Sequence, residues 1–244
     1  MDSADHATVL IVEDDNEIRE LLRLYLSKNG FVTVEAVDGL SALREFEETQ
    51  PSLVLLDIQL PGMSGLEVCE QIRSVSNVPI VFVSARGESE DIVHGLNLGA
   101  DDYIPKPFDP AVVVARVKAN MRRAPIYRRY QNSAVGTRMA EQTIPVEGIY
   151  IDSKKMTVHA DGEEVRLSAK EFQLLAYMAN RPGEVFSASE LYEQVWGRDS
   201  NDDPRTVMVH IYNMRKKLEH NPAEPRYIVS VRGMGYRYEG ASPR

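Results

Sequence analysis

A five-stranded, parallel, doubly wound α/β sheet followed by a smaller α+β domain is the fold class that this 244-residue sequence predicts, on three observations. Across 8–123, apolar runs of strand length alternate with segments of helical period, the pattern of repeated βα units. Charge is divided unevenly: residues 1–123 carry 21 acids and 11 bases, whereas 124–244 carry 16 acids and 17 bases, so the net −9 joins an acidic front half to a near-neutral back half. Between the halves, 124–143 is rich in Arg, Gln, Ser and Thr and keeps no period, which marks a linker. The expected boundaries are therefore a domain over 1–123, a linker over 124–143 and a second domain over 144–240.

In the front half, strands are expected near 8–12, 31–35, 53–57, 79–83 and 102–104. Helices are expected near 15–28, 39–49, 65–73, 88–98 and 110–122. The first helix displays its apolar face through Ile18, Leu21, Leu22, Tyr25 and Leu26, and Gly30 marks its end. In the back half, 145–167 alternates strand-like pieces around the turn Asp161–Gly162, predicting a small antiparallel sheet. Ser168 with Glu171, and Ser187 with Glu190, form two capping-box signatures that open helices. A polar stretch, 197–203, leads to Pro204 at a first helical position, and a third helix is expected over 205–219.

That third helix carries two stripes. Val207, Ile211, Met214 and Leu218 must face the core. Thr206, His210, Asn213 and Lys217 repeat the spacing one residue earlier, about 100° around the helix. With Arg205, Tyr212, Arg215 and Lys216 beside it, this second stripe is expected to be a polar, basic surface able to enter a groove. Residues 204–237 hold seven Lys or Arg against Glu219 and Glu224, a local excess suited to a phosphate backbone. The chain closes in a hairpin, 227–231 and 236–238, with its turn over 232–235.

Chemistry is concentrated at strand ends. The run 53–56 ends in Asp57, 9–12 ends in Glu13, Asp14 and Asp15, 79–83 ends in Ser84, and the short piece at Tyr103 precedes Lys106. In an open parallel sheet the carboxyl ends of the strands share one rim, where ligands bind. Acidic oxygens there suit Mg²⁺, a lysine and a hydroxyl receive charge on a phosphoryl group, and Asp57 is positioned as the nucleophile.

Other classes are disfavoured. Cys69 is the single cysteine, so no internal disulfide forms, and among Leu66, Val68 and Ile72 it reads as a packed thiol. The start, with Asp2 and Asp5, does not read as a signal peptide, and no apolar run approaches the ~20 residues of a membrane span. A cytoplasmic protein without membrane contact is expected. No Walker-type phosphate loop occurs, and His210 lacks the paired Cys or His spacing of a metal site.

The ordered motifs resemble those of bacterial two-component response regulators of the OmpR/PhoB type over nearly the whole chain. They are Val-Glu-Asp-Asp at 12–15, Leu-Leu-Asp at 55–57 with Leu60, Pro61 and Gly62, then 84–86, 99–103 and Lys106-Pro107-Phe108. In the back half they are 205–207, 209–211, 215–218 and VRGMGYR at 231–237. The resemblance implies a flavodoxin-like receiver and a winged helix-turn-helix domain. It implies phosphorylation of Asp57 by a sensor histidine kinase, with Mg²⁺ held by Glu13, Asp14, Asp57 and the Gln59 backbone carbonyl. Lys106 would meet the phosphoryl oxygens, Ser84 and Tyr103 would switch, and Lys106-Pro107 would be cis.

The same resemblance implies a homodimer when phosphorylated, through the helix over 88–98, the strand over 102–104 and the helix over 110–122. It implies binding to double-stranded promoter DNA and contact with RNA polymerase through 197–203. The chain departs from the pattern at Ile92 and Val112, where relatives usually place a base and an acid. A small apolar patch and reduced salt sensitivity are expected, with Asp101, Asp102, Arg116 and Arg123 as charged partners. Tyr212 and Asn213 stand where arginine is frequent; Asn213 to adenine and Val209 to a thymine methyl then predict an A·T-leaning site. Arg232 is expected in the minor groove near Tyr236, and Arg205, His210, Arg215 and Trp196 on phosphates.

Two rivals remain at this stage. An aspartyl-nucleophile phosphatase of the haloacid dehalogenase type needs a second Asp two residues on, where this chain has Gln59. A DNA-binding regulator whose receiver is never phosphorylated would use the same fold for dimerisation alone.

Overall fold

The computed structural model describes residues 7–85, 95–121, 143–146, 148–152, 157–197 and 204–239. It divides into two compact units, 1–121 and 122–244. Most of the expected linker, 124–142, lies outside the described residues, as does most of the helix expected over 88–98, of which 95–97 are helical.

The first unit contains β1 (Thr8–Val12), α1 (Asn16–Lys28), β2 (Val32–Ala36), α2 (Gly39–Thr49), β3 (Leu53–Asp57), α3 (Gly65–Val75), β4 (Ile80–Ala85), β5 (Asp102–Lys106) and α4 (Pro110–Met121). The strands form one parallel sheet in the order β2-β1-β3-β4-β5. Its centre is apolar on both faces: Val9, Leu10, Ile11, Leu53, Val54 and Leu55 are all buried. That is why the central strands read as continuous apolar runs. Val9, Ile11, Leu53 and Leu55 share one cluster with Leu22 and Leu26 of α1 and Val113 and Val117 of α4.

Caps set where the helices begin. Asp15 accepts from the Glu17 amide at 2.8 Å and the Ile18 amide at 3.1 Å, so α1 starts immediately after the acidic loop. Gly30, at φ 86°, follows the helix end as expected. Ser64 and Glu67 form a further capping-box pair, beyond the two expected in the back half, and it opens α3 beside the end of β3.

The second unit begins with an antiparallel sheet of β6 (Thr143–Val146), β7 (Ile149–Asp152), β8 (Thr157–Ala160) and β9 (Glu163–Val165), in that order. Asp161 and Gly162, at φ 51° and 87°, supply the left-handed pair needed by the β8–β9 turn. Next come α5 (Ala169–Ala179), β10 (Val185–Phe186), α6 (Ala188–Trp196), α7 (Pro204–Leu218), β11 (Ile228–Val231) and β12 (Gly235–Tyr238). The closing hairpin gains a third strand, because β10 pairs with β12. Gly235 permits this: a Cβ there would lie 1.9 Å from the Phe186 carbonyl oxygen.

Of the two expected capping boxes here, Ser168–Glu171 is reciprocal. Ser187 makes a one-sided cap, accepting from the Glu190 amide at 3.1 Å.

Candidate functional site

The rim at the carboxyl ends of β1, β3 and β5 brings Glu13, Asp14, Asp57 and Lys106 together. The first three place carboxylate oxygens within 4.8 Å of one another. Asp57 closes β3 and is only 4% exposed. Its Oδ1 accepts from the Gln59 amide at 3.0 Å, while Oδ2 accepts from Lys106 Nζ at 2.5 Å. Lys106 also donates to Glu13 Oε1 at 2.9 Å, so one ammonium holds two carboxylates. Burial pulls the Lys106 ammonium down, but its hydrogen bonds to Asp57 and Glu13 outweigh burial and raise it, keeping it charged.

Glu13 is the strained member. Burial pushes its carboxyl up to about 7, the Asp57 charge adds to the rise, and Lys106 offsets only part of it. Its Oε2 is buried without a hydrogen-bond partner. An orphaned acidic oxygen among three converging carboxylates fits a hard divalent cation, which takes oxygen donors and retains waters. Glu13, Asp14 and Asp57 are the side chains that would hold it. Ser84 is buried at the end of β4, Tyr103 is half-buried on β5, and Lys106-Pro107 is cis, as expected.

The third helix of the second unit corrects the sequence reading. Thr206, His210 and Asn213 are 1%, 0% and 4% exposed, so three of the four residues of the expected groove-facing stripe are interior, while Lys217 is exposed. The cause is packing on two sides: α7 touches both α5 and α6. His210 lies 5.3 Å from the Trp196 ring, which stacks on Tyr192 at 5.2 Å, and Lys217 reaches Glu171 Oε2 at 2.6 Å. Trp196 is itself buried, and Arg215 donates to the Ile228 carbonyl at 2.8 Å and to Ser230 Oγ at 3.0 Å. Trp196 and His210 are therefore core residues, and Arg215 fastens the hairpin to the helix. Tyr236, half-buried, lies beneath the Arg215 guanidinium. The open face of α7 is instead Arg205, Met208, Tyr212 and Lys216, with Val209 half-buried along it and Arg232 exposed in the hairpin turn.

Two family models match in succession: a response regulator receiver domain over 9–118 and a transcriptional regulatory protein C-terminal domain over 162–238. Sensory transduction protein RegX3 of Mycolicibacterium smegmatis is 40% identical over 233 residues, 96% of this chain and 99% of that protein. DNA-binding response regulator MtrA of Mycolicibacterium paratuberculosis is 41% identical over 229 residues, covering 94% and 96%. The chain belongs to the OmpR/PhoB family of response regulators. A solved RitR mutant shares the fold, with a TM-score of 0.75 over 96% of this chain and all of that one, at 24% identity.

In this response regulator three of the four charges expected at a dimer face, Asp101, Asp102 and Arg116, are engaged within the chain. Arg73 donates to Asp101 Oδ2 at 2.7 Å, and that oxygen also accepts from the Ile80 amide. Arg116 Nη1 meets both Asp102 oxygens, at 2.7 and 2.8 Å, and Asn120 joins at 3.1 Å. Asp101, Asp102 and Arg116 are buried. Val112 is half-buried, while Ile92, Arg123 and 198–203 lie outside the described residues.

Sequence reasoning missed two supports of the receiver site. Arg19 Nη1 donates to the Glu13 carbonyl at 2.8 Å and the Asp14 carbonyl at 3.3 Å, and its Nε pairs with Glu35. It is the one base in the acidic run 13–20, which was the available signal. Gly65 lets α3 abut the strand that carries Asp57, since a Cβ there would lie 1.9 Å from the Asp57 carbonyl oxygen. No pattern in the local sequence announces that approach.

Proposed function

We propose that this response regulator accepts a phosphoryl group on Asp57 from the phosphohistidine of a sensor histidine kinase, dimerises, and binds promoter DNA to regulate transcription in the cytoplasm. The observation that carries the reading is Asp57 itself: a buried strand-end carboxylate, held by Lys106 at 2.5 Å and flanked by Glu13 and Asp14. Among the described residues, no helix is long and apolar enough to cross a membrane.

An Asp57 carboxylate oxygen attacks phosphorus as the bond to the histidine nitrogen breaks, and the imidazole leaves with the electron pair and takes a proton. Glu13, Asp14, Asp57 and the Gln59 carbonyl would hold Mg²⁺, which would supply charge neutralisation for the transferring phosphoryl group. Lys106 turns from bridging Glu13 and Asp57 to pairing with the new oxygens. Ser84 and Tyr103 then favour the arrangement that satisfies those oxygens, so phosphorylation biases a two-state equilibrium. Carrying such an equilibrium from 1:99 to 99:1 takes ~5.5 kcal/mol of differential stabilisation. Beyond its own phosphorylation and dephosphorylation, no turnover is expected of the protein, and RNA polymerase is the proposed partner of 197–203.

The test is the intact mass of wild type and Asp57→Asn after incubation with Mg²⁺ and acetyl phosphate. One added phosphate in wild type alone is the expected result. No addition from acetyl phosphate or from a phosphorylated sensor kinase would favour a phosphorylation-independent regulator. Steady turnover of phosphomonoesters would favour the phosphatase.

A further inference from the structure

The open face of α7 has a composition that phosphate binding does not explain. Met208 is 54% exposed and Tyr212 49%, and Met234 in the hairpin turn is 63% exposed. On an α-helix, Arg205, Met208, Val209, Tyr212, Arg215 and Lys216 fall on one arc of about 120°. The apolar side chains occupy the middle of that stripe and exposed cations its two ends, with Arg205 near the start of the helix and Lys216 near its last turn. Exposed apolar side chains flanked by positive charge mark a binding surface. Its complement must be apolar at the centre and anionic at the margins.

Double-stranded DNA offers that combination at thymine. The thymine C5 methyl is the one apolar group presented in the major groove, and phosphates line the groove on both sides. Side chains that read bases through paired amide hydrogen bonds are missing from the arc, because Asn213 is buried beneath it. Of the two end cations, Lys216 places its ammonium 4.6 Å from the Tyr212 ring centre, a contact that orients it along the helix surface. The proposal rests on the reading that α7 enters DNA, and deepens it.

We propose that Met208, Val209 and Tyr212 read thymine methyl groups, so that the half-site core is specified by thymine through apolar contact, while Arg205 and Lys216 hold the flanking phosphates. The A·T preference expected from the sequence is thereby retained, with its carrier moved from an Asn hydrogen bond to an apolar stripe.

The experiment uses the full chain treated with acetyl phosphate and Mg²⁺. A bound duplex is selected from a random pool, and each core thymidine is then replaced by deoxyuridine, which removes only the methyl group. Wild type is expected to lose roughly three- to tenfold in affinity per replaced core position. Met208→Ala and Tyr212→Ala, both at exposed helical sites that tolerate alanine, are expected to bind thymidine and deoxyuridine duplexes alike. Arg205→Ala is expected to weaken both equally and to reduce the salt slope by about one. A selected core of G·C pairs, or equal wild-type affinity for the two duplexes, overturns the proposal while leaving DNA binding intact. Failure to bind any duplex overturns the DNA reading on which it rests, and the proposal with it.

Discussion

At the residue scale, Glu13 shows how burial changes a side chain's chemistry. With Oε1 on Lys106, Oε2 unpartnered and the carboxyl pushed up to about 7, the folded chain without metal keeps this proton to higher pH than the unfolded chain does. An unfolded glutamate releases it near 4.5, so this group makes folding less favourable as pH rises from there to about 7. With Glu13 in the proposed ligand set, Mg²⁺ would take it as the carboxylate, so binding is expected to expel a proton below pH 7. Affinity for Mg²⁺ is expected to fall about tenfold from pH 8 to pH 6. Calorimetric titrations in buffers of different ionisation enthalpy would read both the affinity and the proton released; a flat profile would remove Glu13 from the ligand set. The contrasting residue is Cys69, whose apolar surroundings were legible from its neighbours. Burial pushes its thiol up to about 11, in keeping with a packed role.

At the element scale, the junction of β3 and α3 sets the geometry around Asp57, the proposed phosphoacceptor. Ser64 and Glu67 cap the helix, the Gly65 amide donates to the Ile58 carbonyl at 2.9 Å, and the missing Gly65 side chain lets the helix start against Asp57. Gly65→Ala must push the two backbones apart. It is expected to cost about 1–3 kcal/mol in urea unfolding of the receiver and to slow acceptance of phosphate from acetyl phosphate. Unchanged stability would mean that the junction yields easily. Helix α7 carries the complementary lesson. Its core stripe, Val207, Ile211, Met214 and Leu218, was legible from period alone and is buried. The adjacent polar stripe is buried at Thr206, His210 and Asn213 and exposed at Lys217, because polarity implies exposure only when a helix packs on one side. Here α5 and α6 enclose it on two, and His210 and Asn213 are buried by tertiary contacts that no local pattern encodes.

At the scale of the whole molecule, the chain joins a phosphoacceptor domain to a DNA-binding one, and its dimer chemistry is expected to differ from the family's usual charged face. Asp101, Asp102 and Arg116 are already engaged within the chain, and Ile92 and Val112 stand where the resemblance leads one to expect an ion pair. The phosphorylated dimer is therefore expected to change its dissociation constant by less than about threefold between 50 and 500 mM salt, where screening would weaken exposed ion pairs. Sedimentation equilibrium across that range is the check, and steep weakening that persists in Ile92→Ala would restore the charged face. The sequence by itself determined the alternating βα architecture, the strand-end acids with Lys106, the helix caps and the basic closing region. Those signals are local: a period, a cap, or a side chain at the end of an apolar run. Only the tertiary structure decided which charges are consumed in folding and which face of α7 is open. Burial is a property of the neighbours an element acquires, and the enclosure of α7 by two helices and the closure of Arg73 on Asp101 unite residues tens of positions apart.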